Sequence, residues 1–380
     1  MAAQQNSSTS PSGNQIKVGV GKPTVSEKKE STKSDTSPNV EFSKDSDSLK
    51  KYKLVAVAYS HVERDMFPTE EAYKAEIEVE ERAGEVIEEI KKLGIPVKGY
   101  KGDQYLLTNL LVDRPDLVVN LVDTFKGKDS LQTSIPAALE LAGIPYTGAE
   151  MTGLVIGNDR NLVKQLLISY EVPTPKFQFI RFAGTSIQQD LKLPLIVKLN
   201  ESGGSVGIDN HAVKETVEEV RKKVDEMIGT YKIPVVVEEF ISGPEITSVV
   251  FDDGRKKHVC MAEKLFQKAP DGKYFFTSFE SYDDSKAYEY QRVKDESIAQ
   301  KVSKLSVRAF NGLRYKDYAK FDIRIEENTG TPYFTDANPN TAFGPDKGLP
   351  FTEVLGLSGI SFQEALISLL SKYAKTIQTA

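Results

Sequence analysis

One cysteine, three histidines and no tryptophan occur among the 380 residues. With Cys260 alone, neither a disulfide framework nor a cysteine-rich zinc site can be built. With only His61, His211 and His258, a metal would have to be held by oxygen, which favours a hard cation such as Mg2+. No run approaches the roughly 20 apolar residues of a membrane helix. A basic excess is missing too. The 49 Lys and Arg against 55 Asp and Glu leave a net charge of −6, the wrong sign for a chain that binds nucleic acid by neutralising phosphates. What remains, 39% hydrophobic and 27% charged, is an ordinary globular composition, enough for two or three domains at roughly 100–200 residues each.

Residues 1–50 are Ser, Thr, Lys, Asn, Gln and Asp with almost no large apolar side chains. Such a segment buries too little surface to offset its ordering entropy and reads as a disordered tail. It has no apolar signal core, so a cytoplasmic protein is expected. Its Gly19-Val20-Gly21-Lys22 has the wrong spacing for a phosphate loop and is followed by Pro23. From Leu54 the pattern changes to strands alternating with helices. Leu54–Ala58 and Leu117–Val122 read as buried parallel strands, Glu70–Leu93 as one long amphipathic helix, and Thr133–Ala142 as a second helix. Residues 51–150 are thus expected to be a βαβ domain, whose site lies at the carboxyl ends of its strands. A second unit, 151–240, has a helix at Asn161–Ser169, strands at Leu195–Leu199 and Pro234–Glu239, and a helix at Val213–Met227. The third, 241–380, holds a hairpin of Tyr318–Ile325 and Tyr333–Asp336 around Asn328-Thr329-Gly330.

Three constellations carry chemistry. Lys320-Phe321-Asp322 and Asp336-Ala337-Asn338 flank that hairpin, and Asp322, Asp336 and Asn338 are hard oxygen ligands suited to Mg2+ and nucleotide phosphates; a solvated hairpin with surface acids is the plainer alternative. Lys198 ends a strand before the small-residue loop Gly203-Gly204-Ser205-Val206-Gly207, whose N–H groups could surround phosphate oxygens; alone, it could equally be a surface loop. Glu238-Glu239-Phe240-Ile241, followed by Ser242-Gly243-Pro244-Glu245, places acids around an apolar wall that could take an adenine and a ribose. Charged strand ends are otherwise common.

In this order the three resemble the ATP-grasp superfamily, and within it the D-alanine–D-alanine ligase branch. Gly143-Ile144-Pro145-Tyr146-Thr147-Gly148, Val172-Pro173-Thr174-Pro175 and Ser242-Gly243-Pro244-Glu245 extend the resemblance over about Lys53 to Tyr373. It implies an α/β ATP-grasp fold, with an N-terminal βαβ domain and two α+β subdomains clamping ATP. The activity implied is that of a carboxylate–amine ligase working through an acyl phosphate. By the same resemblance Lys198, Lys264, Arg160, Gly203, Gly204 and Ser205 would contact the nucleotide phosphates. Glu238, Glu239 and Ile241 would hold adenine, and Glu245 the ribose. Asp322, Asp336 and Asn338 would ligate Mg2+, Lys320 would face developing charge, and Glu63 would grip the ammonium of the first substrate. The partners implied are small amino-acid-like or peptide carboxylates and amines, with no nucleic acid or membrane, and a homodimer.

The sequence also departs from the branch. Asp336 stands where Glu is usual, and Asp159-Arg160 where Asp-Lys is usual, with Lys164 nearby. A serine is missing at Gly204, a tyrosine at Leu265 and a histidine around Val122-Asp123-Thr124-Phe125, and a Pro-Gly reads Asn340-Thr341-Ala342. A site lacking these polar partners should not bind D-alanine well. A larger carboxylate, walled by Phe275, Phe276, Phe279 and Tyr282, is one expectation; core packing is the other account of those aromatics. A nucleotide-binding module without ligation is the alternative function.

Overall fold

Strand β1 (Val55–Ser60) lies at the centre of a parallel sheet, β2-β1-β3, between β2 (Val97–Gly102) and β3 (Leu117–Leu121). A strand paired on both sides and covered on both faces has no wet side, so β1 and β3 read as unbroken apolar runs. β2 and the helix α3 (Leu106–Asp113, after the two helices described next) escaped the sequence reading. β2 is Val-Lys-Gly-Tyr-Lys-Gly, half-exposed and without a hydrophobic alternation. The structure is a computed structural model, and it describes residues 47–269, 271–280, 287–346 and 348–377. The tail up to residue 46, and Tyr282, lie outside the described residues.

The crossover from β1 to β2 differs from expectation. In place of one helix over Glu70–Leu93 there are two, α1 (Glu70–Lys74) and α2 (Val79–Lys92), with a turn at residues 75–78. Helix α2 buries the stripe Val79, Ala83, Val86 and Ile90 against the parallel sheet, as its period predicts. Helix α1 buries no residue fully, and its Ala72, with Ala75 just beyond, packs against the core of a different sheet. The two halves serve two cores, so the chain bends between them.

After α4 (Ser134–Ala142), α5 (Met151–Gly157) and α6 (Arg160–Ser169) comes a four-stranded antiparallel sheet. Its order is β4-β7-β5-β6, from β4 (Phe177–Ile180), β5 (Leu195–Leu199), β6 (Val213–Lys214) and β7 (Val235–Glu239). Helix α7 (Val217–Tyr231) starts later than the expected Val213 because Val213 and Lys214 pair with β5. Thr216 then caps it reciprocally with Glu219.

The last sheet is antiparallel with order β10-β9-β8-β11-β12. Its strands are β8 (Glu245–Asp252), β9 (Lys257–Phe266), β10 (Tyr288–Arg292), β11 (Tyr318–Ile325) and β12 (Pro332–Asn338). Helix α8 (Glu296–Gly312) covers one face, and α9 (Pro350–Leu357) and α10 (Phe362–Ala374) close the chain. One core joins this sheet to the first: Val55, Val57 and Val119 share it with Val249, Phe251, Tyr318, Phe351 and Leu366. Packed structure therefore extends into the stretch expected to belong to the tail. Asp47–Lys51 forms a 3-10 turn with Leu49 buried in that core, and the Tyr52 hydroxyl donates to the Leu370 carbonyl at 2.7 Å. Among the described residues no single helix is long and apolar enough to cross a membrane; α9 and α10 together would be, but they are bent at 102°.

Candidate active site

Strand register builds the floor of the site. β11 lies beside β12 with Lys320 opposite Asn338 and Asp322 opposite Asp336, and beside β8 with Asp322 opposite Thr247 and Arg324 opposite Glu245. β8 in turn sets Glu245 opposite Lys264 of β9. Side chains two apart on a strand share a face, so Lys320, Asp322, Arg324, Glu245, Lys264, Asp336 and Asn338 point the same way. Two carboxylates directly opposite each other repel unless cations intervene. Here Lys320 Nζ lies 2.5 Å from Asp322, and Arg160 donates to Asp336 at 2.9 Å. Burial opposes ionisation of Asp336, but Arg160, Lys198 and Lys320 overcome it and hold its carboxyl well below the usual range. A bulge after Asp322 gives Thr335 no partner opposite and turns its carbonyl toward Lys198 at 3.4 Å.

The opposite wall is the second sheet. Lys198 on β5 and Lys164 on α6 both pair with the carboxylate of Glu238, which is 1% exposed. Burial works against the charge on Glu238, and the two lysines win, lowering its pKa. Between the walls runs the segment from Glu239 to Glu245, fixed by Arg324. Its guanidinium donates to the carbonyls of Ile241 at 2.5 Å and Gly243 at 2.8 Å and to Glu245 at 3.1 Å, and it lies 4.6 Å from the Phe240 ring centre. Glu245 also accepts from Lys264 at 2.8 Å and Thr277 at 2.7 Å. Burial raises its pKa, but Lys264 and Arg324 outweigh that and bring it down to about 2. Ile196, Ile208, Phe240 and Phe276 form an apolar wall beside it.

These groups enclose a cavity of about 250 Å³. Glu76, Asp123 and Asp129, close enough to repel one another, make one side of it acidic, with Arg82 3.9 Å from Asp123. Burial first, then mutual repulsion, raises Asp123 to about 6 and Glu76 well above its usual value. Asp129 also rises to about 6 through burial, opposed by the Gly203 N–H that donates to it at 3.0 Å. The glycine loop lies over the cavity, with Gly204 and Ser205 in the left-handed region at φ of 57°. A Cβ on Gly204 would sit 2.9 Å from that of Ala75, so the missing serine has no room here.

Fourteen of the fifteen residues singled out from sequence meet in this way. Arg160, Lys198, Gly203, Gly204, Ser205, Glu238, Glu239, Ile241, Glu245, Lys264, Lys320, Asp322, Asp336 and Asn338 all line the one cavity. Glu63 does not. It is exposed, pairs with His61 at 3.2 Å, and the acid facing the cavity from the segment after β1 is Glu76. Nor is the Glu238 carboxylate free for adenine, since both lysines hold it. Leu265, next to Lys264 on the strand, turns outward and is 40% exposed, and Tyr288 supplies the aromatic ring near Lys264 instead, at 4.9 Å. The sequence reading missed Glu76, Arg82, Asp129, Thr277, Tyr288 and Arg324. Of these Arg324 was findable, being two residues from Asp322 on a strand already identified. Glu76 was hidden inside an apparent helix. In the expected aromatic wall Phe276 lines the cavity while Phe275 is 50% exposed.

The residues present suit Mg2+. Two carboxylates and an amide lie on adjacent strands, while no cluster of three His, Cys, Asp or Glu among the described residues could cage a metal. That is the partial donor set which Mg2+ completes with water and phosphate oxygens.

Comparison with known proteins identifies the family. A family model described as D-ala D-ala ligase C-terminus matches residues 166–371. The D-alanine–D-alanine ligase of Janthinobacterium sp. (strain Marseille) is 26% identical over 303 residues, 78% of this chain and 91% of that protein. That of Herminiimonas arsenicoxydans is 26% identical over 309 residues, 80% and 89% of the two chains. Among solved structures, the D-alanine–D-alanine ligase from Bacillus anthracis complexed with ATP superposes with a TM-score of 0.64 at 19% identity, covering 85% of this chain and 98% of that one. The VanG D-Ala:D-Ser ligase from Enterococcus faecalis gives 0.62 at 18%, covering 84% and 99%. With the ATP-grasp arrangement of sheets and the family's C-terminal domain both present, the chain belongs to the D-alanine–D-alanine ligase family of ATP-dependent C–N ligases.

Proposed function

We propose that this ligase joins an amino-acid-like or peptide carboxylate to an amine through an acyl phosphate, and that D-alanine is not its own substrate. The observation that carries this reading is the convergence of Lys198, Lys264, Arg160, the glycine loop and the Asp322–Asp336 pair on one cavity that a cluster of acids also lines. Polyanionic ATP suits the cationic end. Lys198, Lys264 and Arg160 take its phosphates together with the loop N–H groups. Glu239 and the Ile241 backbone meet the adenine against Phe240 and Phe276, and Glu238 serves to hold Lys164 and Lys198 in place. A carboxylate has about four acceptor positions, so Glu245, with three donors, keeps capacity for a ribose hydroxyl. Asp322, Asp336 and Asn338 would hold Mg2+, which would supply positive charge against the phosphates.

In the reaction a substrate carboxylate oxygen attacks the γ-phosphorus and ADP leaves. The amine then attacks the acyl carbon, and phosphate departs with the original carboxylate oxygen. Lys320 faces the charge that develops, and the glycine loop keeps water from the acyl phosphate. Glu76, in place of Glu63, grips the ammonium of the first substrate. Gly204, Asp123 and Ala342 line the cavity where the resemblance calls for other residues, and Leu265 points away from it, which supports a substrate other than D-alanine. The need for ATP and free amino acids supports a cytoplasmic location, and a homodimer is the form the resemblance implies. The relatives described above are ligases by name, which favours ligation over a binding module without it. The test is coupled ADP release across panels of amino-acid and dipeptide carboxylates with amine acceptors. Some pair should stimulate turnover well above D-alanine alone; ATP turnover that no pair stimulates would overturn the reading.

A further inference from the structure

The glycine loop is fastened from an unexpected direction. Gly207 N–H donates to Glu71 Oε1 at 2.8 Å, and the Tyr231 hydroxyl at the end of α7 donates to Glu71 Oε2 at 2.9 Å. Burial and the Glu71 carboxylate push Tyr231 up to about 12, so it stays a donor. Glu71 belongs to α1, the short helix that leans away from its own sheet. Beside it Ala72 and Ala75 pack into the core under the loop, and Ala75 closes on Gly204 so tightly that a side chain there would clash. The residue after Ala75 is Glu76, which faces the acidic end of the cavity. Glu71 itself does not line that cavity. The two hydroxyls the family resemblance called for, at 204 and 265, are absent, and a loop containing Gly203, Gly204 and Gly207 has much freedom to lose. Charge-assisted bonds to its backbone restrict it most where they span separate elements.

We propose that Glu71 is a positioning residue, which fastens the glycine loop over the nucleotide and ties loop closure to the substrate end through the short link to Glu76. The role in catalysis rests on the ligase reading above; the fastening itself does not. When the loop is loose, water reaches the acyl phosphate, so ATP is spent without product.

The test uses the full chain as wild type, Glu71→Ala and Glu71→Gln, without needing the natural substrate for its first arm. Hydrogen exchange at residues 203–207 should be about tenfold faster or more in Glu71→Ala, given the loss of a charge-assisted bond. Glu71→Gln should fall between, because its amide oxygen still accepts from Gly207. In the second arm, with a productive pair, the KM for ATP should rise about tenfold and ADP formed per product should climb above one, with Glu71→Gln again intermediate. Should Glu71→Ala fail to fold, Glu71→Gln and Tyr231→Phe carry both arms. Unchanged exchange at 203–207 in every variant would overturn the proposal even if thermal stability fell. So would faster exchange with an unchanged KM and an unchanged ADP-to-product ratio. A wild type that turns over no pair would instead strike the ligase reading, and the exchange arm would still decide the fastening.

Discussion

Asp322 and Asp336 face each other across two strands, and that pairing makes sense only where positive charge is supplied. Asp336→Asn keeps the volume and removes the charge, and should lower kcat about 100-fold, read by ADP release, and also lower the melting temperature because Arg160 loses its charged partner. Glu76 and Glu63 separate two readings of the ammonium site. Glu76→Gln should reduce kcat/KM for the carboxylate substrate about 30-fold or more, as expected on neutralising a buried charge partner. Glu63→Gln, on an exposed side chain, should change it less than about threefold. The acidic end also sets a pH dependence. Asp123 and Asp129 rise from 3.8 to about 6, so between roughly pH 4 and 6 the folded chain keeps protons that the unfolded chain would release. Stability of the free protein should therefore fall as pH rises through that window and level off above it. Melting temperatures between pH 4 and 7 check this, and Asp123→Asn should flatten the slope. An ammonium substrate prefers the ionised acids, so its KM should fall as pH rises through about 6. At this scale the sequence was most legible where chemistry sits on strands, since period two fixes which side chains share a face. It was least legible for Glu76, whose direction depends on a bend that no local pattern announces.

Among the elements, the bend between α1 and α2 is the most informative. Glu70–Leu93 has a helical period throughout, and both halves are helical. What periodicity could not reveal is that each half faces a different core, so that residues 75–78 must turn. The glycine loop has a similar lesson. Its composition alone left a surface loop open as an alternative, yet Gly204 is required by a positive φ and by the approach of Ala75. Gly204→Ser, which writes the family's usual residue back, should not restore D-alanine activity. It should cost about 1–3 kcal/mol through backbone strain and crowding, lower the melting temperature and raise the KM for ATP. A gain in D-alanine turnover would show that the loop has room the structure denies it.

For the whole molecule, strand–helix alternation correctly pointed to a mixed α/β chain, and the order of motifs pointed to the arrangement of its sheets. The sharing of one core between the first and last sheets was not visible, because it joins residues hundreds of positions apart. Leu49 marks its edge: though placed in the tail by composition, it is 3% exposed under α10. Leu49→Ala should cost about 2–5 kcal/mol in denaturant unfolding, the usual range for a buried leucine. The same closure brings the acidic end and the cationic end of the cavity within reach of one substrate, and this is the central claim. It is tested most directly by oxygen-18 transfer. A carboxylate substrate that stimulates ADP release is labelled on both oxygens, and the phosphate formed with product is examined by mass spectrometry. The account predicts one labelled oxygen in each phosphate, carried from the carboxylate through the acyl phosphate. Phosphate that is formed without label while product accumulates would contradict it.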